Sequence, residues 1–458
     1  MIQTINDFQR VFFIGIAGTG MSAIAQYLKG IGKEVAGSDR YFKPNEANDT
    51  RAKLEAEGIL CFEQDGTGIL PTTDLVVVSA AIEDTVTEVI KAKSLDIPII
   101  RRSELLAIIS KSKKTIAVGG TSGKSTTSAM LYDILQYAGL EPSIISGAGL
   151  VSIIREGKIG NAKVGNGDWL VIEADESDGS IVQYHPAIGL LLNIDKDHKE
   201  VDTLIDIFST FKRNSELFIV NQSHPLAAPL SEEISLDFSW DESRPAGFIA
   251  RDFKQEGLSI SFTINNSPFT LKLVGQHNME NALAATTVAA QLGVDLSKAA
   301  EALEQYEGIY RRNQVLGQKK GVWLMDDYAH NPAKCAASIR SCQPIAPKVI
   351  AWFQPHGYGP TRFLRADFVQ EIAAALRPQD EIWMSEIFYA GGTATKDISA
   401  NDLINDIRQL GKAAYFVEDR TRFLETVRPH LTENSVLLLM GARDPSLENF
   451  AQEVWEKL

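Results

Sequence analysis

Residues 117–127 read AVGGTSGKSTT. The overlapping TIAV (115–118) is apolar and β-branched enough for a buried strand. After Lys124 the residues Leu131, Ile134, Leu135 and Ala138 recur on one helical face, and Gly139 follows as a C-terminal cap. The stretch therefore reads as strand, glycine-rich loop and helix start, and its ending GKST has the chemistry of a phosphate cradle. Gly119, Gly120 and Gly123 let backbone N–H groups approach phosphate oxygens, while the helix N-terminus favours an anion. That dipole contributes only about 0.3–1 kcal/mol when exposed, so Lys124 and a metal must share the work of holding a triphosphate. Ser125 would offer its hydroxyl to Mg2+, with Thr126 beside it. One position departs from the usual loop: where its spacing places a first glycine stands Val118.

Two more apolar runs end in groups suited to a metal. WLVIEADESD (169–178) delivers Glu173 and Asp175, and GLLLNIDKDHKE (189–200) delivers Asp195, Asp197 and His198. Ligands of open α/β sheets collect outside the carboxyl ends of strands. Magnesium prefers oxygen, which makes Glu173 the first candidate ligand and His198 an unusual one at a second site.

The same strand–helix alternation runs outward in both directions. From the N-terminus it passes through VFFIGI, MSAIAQYLKGIG, EVAGSD and DLVVVSAA; from 322 it passes through VWLMDDYAH, KVIAWFQPH, DEIWMSE, AAYFVE and SVLLLMGA. Between 247 and 275 the period shifts to two, which predicts antiparallel strands covering one side of the centre. The expected fold is α/β with three tandem domains. These are a Rossmann-like domain at 1–108, a central P-loop ATPase-type domain with a mixed sheet at 109–309, and a Rossmann-like domain at 310–458.

Composition narrows the function. The chain has 458 residues, 44% hydrophobic and 23% charged, an ordinary globular balance. A net charge of −14 argues against a general nucleic-acid coat, and no run reaches the roughly 20 apolar residues of a membrane span. Cys61, Cys335 and Cys342 are scattered and form no CxxC, which fits a reducing, cytoplasmic setting. A monomer or homodimer without nucleic-acid or membrane partners is expected.

Read in order, a set of motifs resembles the Mur ligases, the ATP-dependent amide-forming enzymes of peptidoglycan synthesis. They are FIGIAGTGMSAIA (13–25), VVVSAAI (76–82), GTSGKS (120–125), EADESD (173–178), the strand end at His198, GQHNMENALAA (275–285), YRRNQ (310–314), DDYAHNP (326–332) and FQPH (353–356). The family's phosphate loop is the shorter GTxGK followed by Ser or Thr, so Val118 needs no glycine. The resemblance is strongest to the alanine-adding members, with muramate:peptide recycling members next.

The resemblance implies ATP and Mg2+ as cofactors, UDP-N-acetylmuramate as carboxyl donor, and a small amino acid or peptide as acceptor. It places Gly120, Thr121, Ser122, Gly123, Lys124, Ser125 and Thr126 on the ATP phosphates, and Ser125, Glu173 and His198 on metal. Asn278 and Asn281, one helical turn apart, fall near adenine, where a side-chain amide can both donate and accept. Arg312 contacts ATP phosphate and Asp327 lies near the ribose. Gly18, Gly20, Met21 and Ser22 surround the UDP pyrophosphate with Asp39 nearby, and Ser79 and Ala80 lie at the uridine side. Tyr328, His330, His356 and Arg362 face the acceptor. Lys124, Glu173, His198 and His330 carry the chemistry.

The acceptor segment departs from the alanine-adding pattern, which has arginines where this chain has Gly357 and Pro360, and a histidine at Asn331. Neither glycine nor proline can grip an anion bidentately, which leaves Arg362 or Arg443 to compensate or the acceptor changed. Two other classes stay open. GIAGTG (15–20) followed by Asp39 mimics a dinucleotide fingerprint, although Ala17 replaces its second glycine, so an NAD-dependent oxidoreductase is one alternative. A catalytically silent muropeptide sensor is the other.

Overall fold

Strands β1 (Arg10–Ile14), β2 (Glu34–Asp39), β3 (Leu60–Glu63), β4 (Leu75–Val78) and β5 (Ile99–Arg101) form a wholly parallel sheet in the order β3-β2-β1-β4-β5. Successive side chains of β1 serve opposite faces: Val11 and Phe13 join one core cluster, Phe12 and Ile14 another. That alternation, with both faces apolar, is what a parallel sheet covered by helices requires. The chain winds outward in both directions from β1 and β4, and the loop after β1 opens at this switch point.

A second sheet contains β6 (Lys114–Gly119), β7 (Ser143–Ile145), β8 (Ala162–Lys163), β9 (Trp169–Glu173), β10 (Ile188–Leu191) and β11 (Leu217–Val220), in the order β11-β10-β6-β9-β7-β8. It is mixed, because β8 runs antiparallel to β7. Val118 is fully buried in β6, paired with Leu190 of β10 on one side and Glu173 of β9 on the other. The strand thus continues through the position where a longer loop would begin.

Strands β12 (Phe238–Ser239), β13 (Phe248–Glu256), β14 (Ser259–Ile264) and β15 (Ser267–Leu271) form a four-stranded sheet in chain order. Burial alternates strictly along β14, the period-two signature expected of this segment.

The last sheet has β16 (Gln314–Lys319), β17 (Val322–Asp327), β18 (Lys348–Gln354), β19 (Glu381–Met384), β20 (Ala413–Phe416) and β21 (Ser435–Gly441), in the order β16-β17-β21-β18-β19-β20. Only β16 is antiparallel to its neighbour. Val349, Ala351 and Phe353 face one core, Ile350 and Trp352 the other.

This computed structural model describes residues 2–79, 82–177, 179–195, 200–389, 391 and 395–458. Packing divides the chain into two compact units: residues 1–252, 262–269 and 280–309, and residues 253–261, 270–279 and 310–458. Among the described residues no helix is long and apolar enough to cross a membrane.

Candidate active site

The phosphate loop occupies the four residues Gly120 to Gly123, between β6 and the helix Lys124–Tyr137. Gly123 caps that helix at φ +86°, a conformation other residues adopt only with strain. A Cβ there would lie 2.5 Å from Asn281 Oδ1, so the glycine also makes room for the asparagine. Asn281 Oδ1 in turn accepts from the Thr127 hydroxyl at 3.1 Å. Asn193 fastens the other side: its Oδ1 accepts from the Thr121 hydroxyl (2.9 Å) and the Ser122 N–H (2.8 Å), and its Nδ2 donates to Ser122 O (3.1 Å). The Asp195 N–H donates to Thr121 Oγ1 at 3.0 Å. A loop held from both sides is preorganised for an anion.

Lys124 Nζ donates to Gly120 O (2.6 Å) and to the Glu176 carboxylate (2.7 Å). Burial pushes the Glu176 carboxyl up, against the pull of Lys124. Burial also acts to raise Asp175, but Lys124, the Ser177 hydrogen bonds and Arg102 outweigh it, and that carboxyl is lowered. Thr126 is half-buried on the first helical turn.

Glu173 is the last residue of β9, and its carboxylate is held at both oxygens. Oε1 accepts from the Ser146 hydroxyl (2.7 Å) and the Gly147 N–H (2.6 Å), while Oε2 accepts from the Ser125 hydroxyl (3.1 Å). A serine hydroxyl and a carboxylate oxygen side by side are an oxygen-only donor pair, which suits Mg2+ with phosphate and water completing the shell. Asp197 and His198 lie outside the described residues. β10 ends at Leu191, and Asp195 sits beyond it within 3.2 Å of His224 Nε2.

At the first sheet, Asp39 ends β2 and ties the loop after β1: its Oδ2 accepts from the Ala17 N–H (2.9 Å) and its Oδ1 from the Tyr41 N–H (3.1 Å). Gly18 caps the helix Thr19–Gly30. A Cβ on Gly20 would meet the Arg102 side chain at 3.1 Å, so a cation lies over the first turn of this helix. Met21 and Ser22 are buried; Met21 is part of the core and the Ser22 hydroxyl bonds Thr19 O (3.1 Å) and Asn161. Ser79 follows β4, and Ala80 lies outside the described residues.

The second unit gathers the remaining candidates. Asp327 ends β17 and accepts from the Ser338 hydroxyl. Tyr328 and His330 rings meet edge to face at 5.7 Å, and His330 lies 5.7 Å from the His356 ring. His330 Nδ1 is 2.9 Å from Tyr328 O, and since a carbonyl only accepts, Nδ1 carries the proton and Nε2 the lone pair. Burial, with Lys334, Arg312 and His356, holds the His330 pKa well below the usual histidine value, so its ring is neutral at neutral pH. Arg312 lies over the Tyr328 ring at 5.0 Å, whereas its neighbour Arg311 is buried in an ion pair with Asp326 (2.8 Å). Asn278 donates to Val274 O at 2.8 Å. Arg362 pairs with Asp397, both half exposed, and Arg443 is exposed. Gly357 stands at φ +72° at the start of the helix Tyr358–Phe363, so an arginine there would be strained.

The phosphate loop, Glu173 and Asn281 are therefore brought together in the first unit, and Tyr328, His330, His356 and Arg312 in the second. Asn278 and Asn281 fall in different units. Asn193, Ser146, Glu176 and Arg102 were not singled out from the sequence. Asn193 and Glu176 sit inside the quoted motifs NID and EADESD, and their neighbours' chemistry was the available signal. Ser146 and Arg102 carry none.

Three family models match in tandem: "Mur ligase family, catalytic domain" over residues 10–114, "Mur ligase middle domain" over 118–289, and "Mur ligase, glutamate ligase domain" over 311–443. The UDP-N-acetylmuramate--L-alanine ligase of Myxococcus xanthus is 32% identical over 450 residues, covering 95% of this chain and 92% of that protein. That of Dictyoglomus turgidum is 33% identical, covering 95% and 94%. Among solved structures, the UDP-N-acetylmuramate-alanine ligase of Thermotoga maritima superposes with a TM-score of 0.80 at 26% identity, covering 98% of both chains. A murein peptide ligase from Psychrobacter arcticus shares the fold, with a TM-score of 0.66 at 20% identity and 98% coverage of both chains.

Proposed function

The chain belongs to the Mur ligase family, with its three-domain α/β fold, and on that premise we propose that it joins the lactyl carboxylate of UDP-N-acetylmuramate to the amine of L-alanine. The reaction consumes ATP as a substrate and releases ADP and phosphate, as a step of peptidoglycan synthesis. Residues 1–108 take the UDP-bearing substrate, 109–309 the ATP and 310–458 the acceptor. The observation that carries this reading is the cluster of Lys124, Ser125 and Glu173 around a fastened four-residue loop, which suits phosphoryl transfer.

A carboxylate is a poor electrophile until one of its oxygens becomes a leaving group. Its oxygen attacks the γ-phosphorus and the bond from that phosphorus to ADP breaks, giving an acyl phosphate. The amine nitrogen then forms a bond to the acyl carbon, phosphate departs with the carbon–oxygen bond's electrons, and the nitrogen gives up a proton. Two anions must meet in the first step, and Lys124 supplies positive charge against their repulsion. Ser125 and Glu173 would hold Mg2+, which when bound would screen the phosphates, and His198 would be the further ligand. The loop amides orient the phosphate chain, with Asn281 and Asn278 toward adenine and Arg312 and Asp327 on phosphate and ribose. Neutral His330, with its lone pair on Nε2, takes the amine's proton, and Tyr328, His356 and Arg362 orient the acceptor.

The test is to incubate the purified chain with UDP-N-acetylmuramate, ATP, Mg2+ and a panel of amino acids and muropeptides, reading ADP release and product mass. An alanyl product supports the proposal. A product formed only with peptides assigns it to recycling, and a product with neither but with another amino acid changes the acceptor. NAD(P)H binding without ADP release points to an oxidoreductase, and ligand binding without turnover to a sensor.

A further inference from the structure

Asn161 precedes β8 and is fully buried. Its side chain reaches across to the helix Thr19–Gly30: Nδ2 donates to Thr19 O (2.7 Å) and lies 3.0 Å from Ser22 Oγ, while Oδ1 accepts from Gln26 Nε2 (2.7 Å). Its backbone carbonyl accepts from the Ser146 N–H at 2.8 Å. Ser146 Oγ then donates to Glu173 Oε1 (2.7 Å), and the other oxygen of Glu173 accepts from Ser125 (3.1 Å). One unbroken line of hydrogen bonds thus runs from the first turn of that helix to the phosphate loop, within a single compact unit.

The line is specific in its chemistry. Gln26 Nε2 also donates to Ser22 O (2.9 Å), while Gln26 Oε1 is buried with no hydrogen-bond partner among the described residues. Both donated bonds of the Gln26 amide are directed into the contact with Asn161 and Ser22. A buried amide bonded at both ends has one satisfied arrangement, so displacing either end breaks it rather than stretching it. The helix end it grips is the one that Arg102 overlies.

We propose that Asn161 is a positioning residue that couples the two anionic substrates: a UDP-sugar at the first turn of the helix Thr19–Gly30 fixes, through Asn161 and Ser146, the orientation of the Glu173 carboxylate toward the metal-bound nucleotide. The inference rests on the substrate assignment above. Coupling of this kind is reciprocal, so each ligand strengthens the other by the same factor.

The experiment is calorimetric titration of the full chain with UDP-N-acetylmuramate, alone and with saturating Mg2+ and a non-hydrolysable ATP analogue. Wild type is expected to bind the sugar nucleotide at least about 5-fold more tightly in the presence of the analogue. Asn161→Ala and the near-isosteric Gln26→Met should bring that ratio below about 2-fold, with each ligand's affinity alone within about 3-fold of wild type. A merely structural role would weaken both ligands or lower the melting temperature and leave the ratio intact. Gln26→Met decides the matter if Asn161→Ala does not fold. A folded variant that keeps the wild-type ratio, or a wild type that binds both ligands independently, overturns the coupling. A wild type that binds neither ligand overturns the substrate assignment, and the coupling with it.

Discussion

Lys124 Nζ lies 2.7 Å from a Glu176 oxygen and 2.6 Å from Gly120 O, so the loop's cation is held by a buried carboxylate and by the loop's own backbone. A phosphate chain entering the cradle competes with both for the same ammonium. Glu176→Gln removes the charged competitor and also the partner that aims the side chain. It is expected to lower the Kd for Mg-ATP several-fold while reducing kcat about 10-fold. Lys124→Ala should remove turnover by about 100-fold or more, since the transferring phosphoryl loses its charge partner. Equilibrium binding and steady-state kinetics on the two variants check both; a Glu176→Gln enzyme with weakened nucleotide binding would show that the carboxylate assists rather than competes.

Gly123→Ala meets two obstacles, a positive φ and the Asn281 amide 2.5 Å from the new methyl group. The expected cost is about 1–3 kcal/mol of strain, and moving Asn281 away relieves only the contact part of it. ATP affinity should fall while UDP-sugar affinity is retained. Thermal melts with and without each ligand measure the difference.

His330 is neutral at neutral pH because burial, then Lys334, opposes its protonation. The proposed proton acceptor predicts an acid limb in the pH profile of kcat, lying below the ordinary histidine range. Lys334→Met removes a positive neighbour, raises the His330 pKa and moves that limb to higher pH. Folded His330 resists a proton that the unfolded chain accepts near pH 6.5, so it stabilises the fold above that pH and the contribution is lost as pH falls through the folded value. A limb unmoved in Lys334→Met assigns it to another group.

Asp133, on the phosphate-loop helix, has its carboxyl pushed up to about 7 by burial and then Glu307, against Lys163. A raised folded pKa means stability that is present at low pH and lost as pH rises through about 7. Asp133→Asn keeps the polar shape without the charge. Its melting temperature should match wild type near pH 4, below which Asp133 is protonated in both states, and exceed it by several degrees at pH 8. An equal difference at both pH values would rule out titration of Asp133 as the cause.

What was legible in the sequence was what is local. The strand, four-residue loop and helix at 115–139 could be read because apolar period, glycines and GKST are contiguous, and the strand ends at Glu173 and Asp327 followed from the same pattern. Asn193 and Ser146 could not be read this way. Each reaches its partner only because β10 and β7 flank β6 and β9, an order that the chain does not spell out. The sequence likewise did not show that Arg311, adjacent to the expected Arg312, is buried in an ion pair with Asp326 while both arginines lie over the Tyr328 ring. β10 stops at Leu191, short of Asp195, where the apolar run was expected to end, and Asp197 and His198 lie outside the described residues. Glycine at 357 was visible as a missing arginine, but its positive φ was not.

Because β6 runs on through Val118, only a single short turn of backbone remains to face a phosphate chain. A longer loop encircles its guest; this one merely seats it. Its shape is then kept by residues far away in the chain, Asn193 after β10 and Glu173 at the end of β9, so that the cradle exists only once the sheet has been assembled around β6.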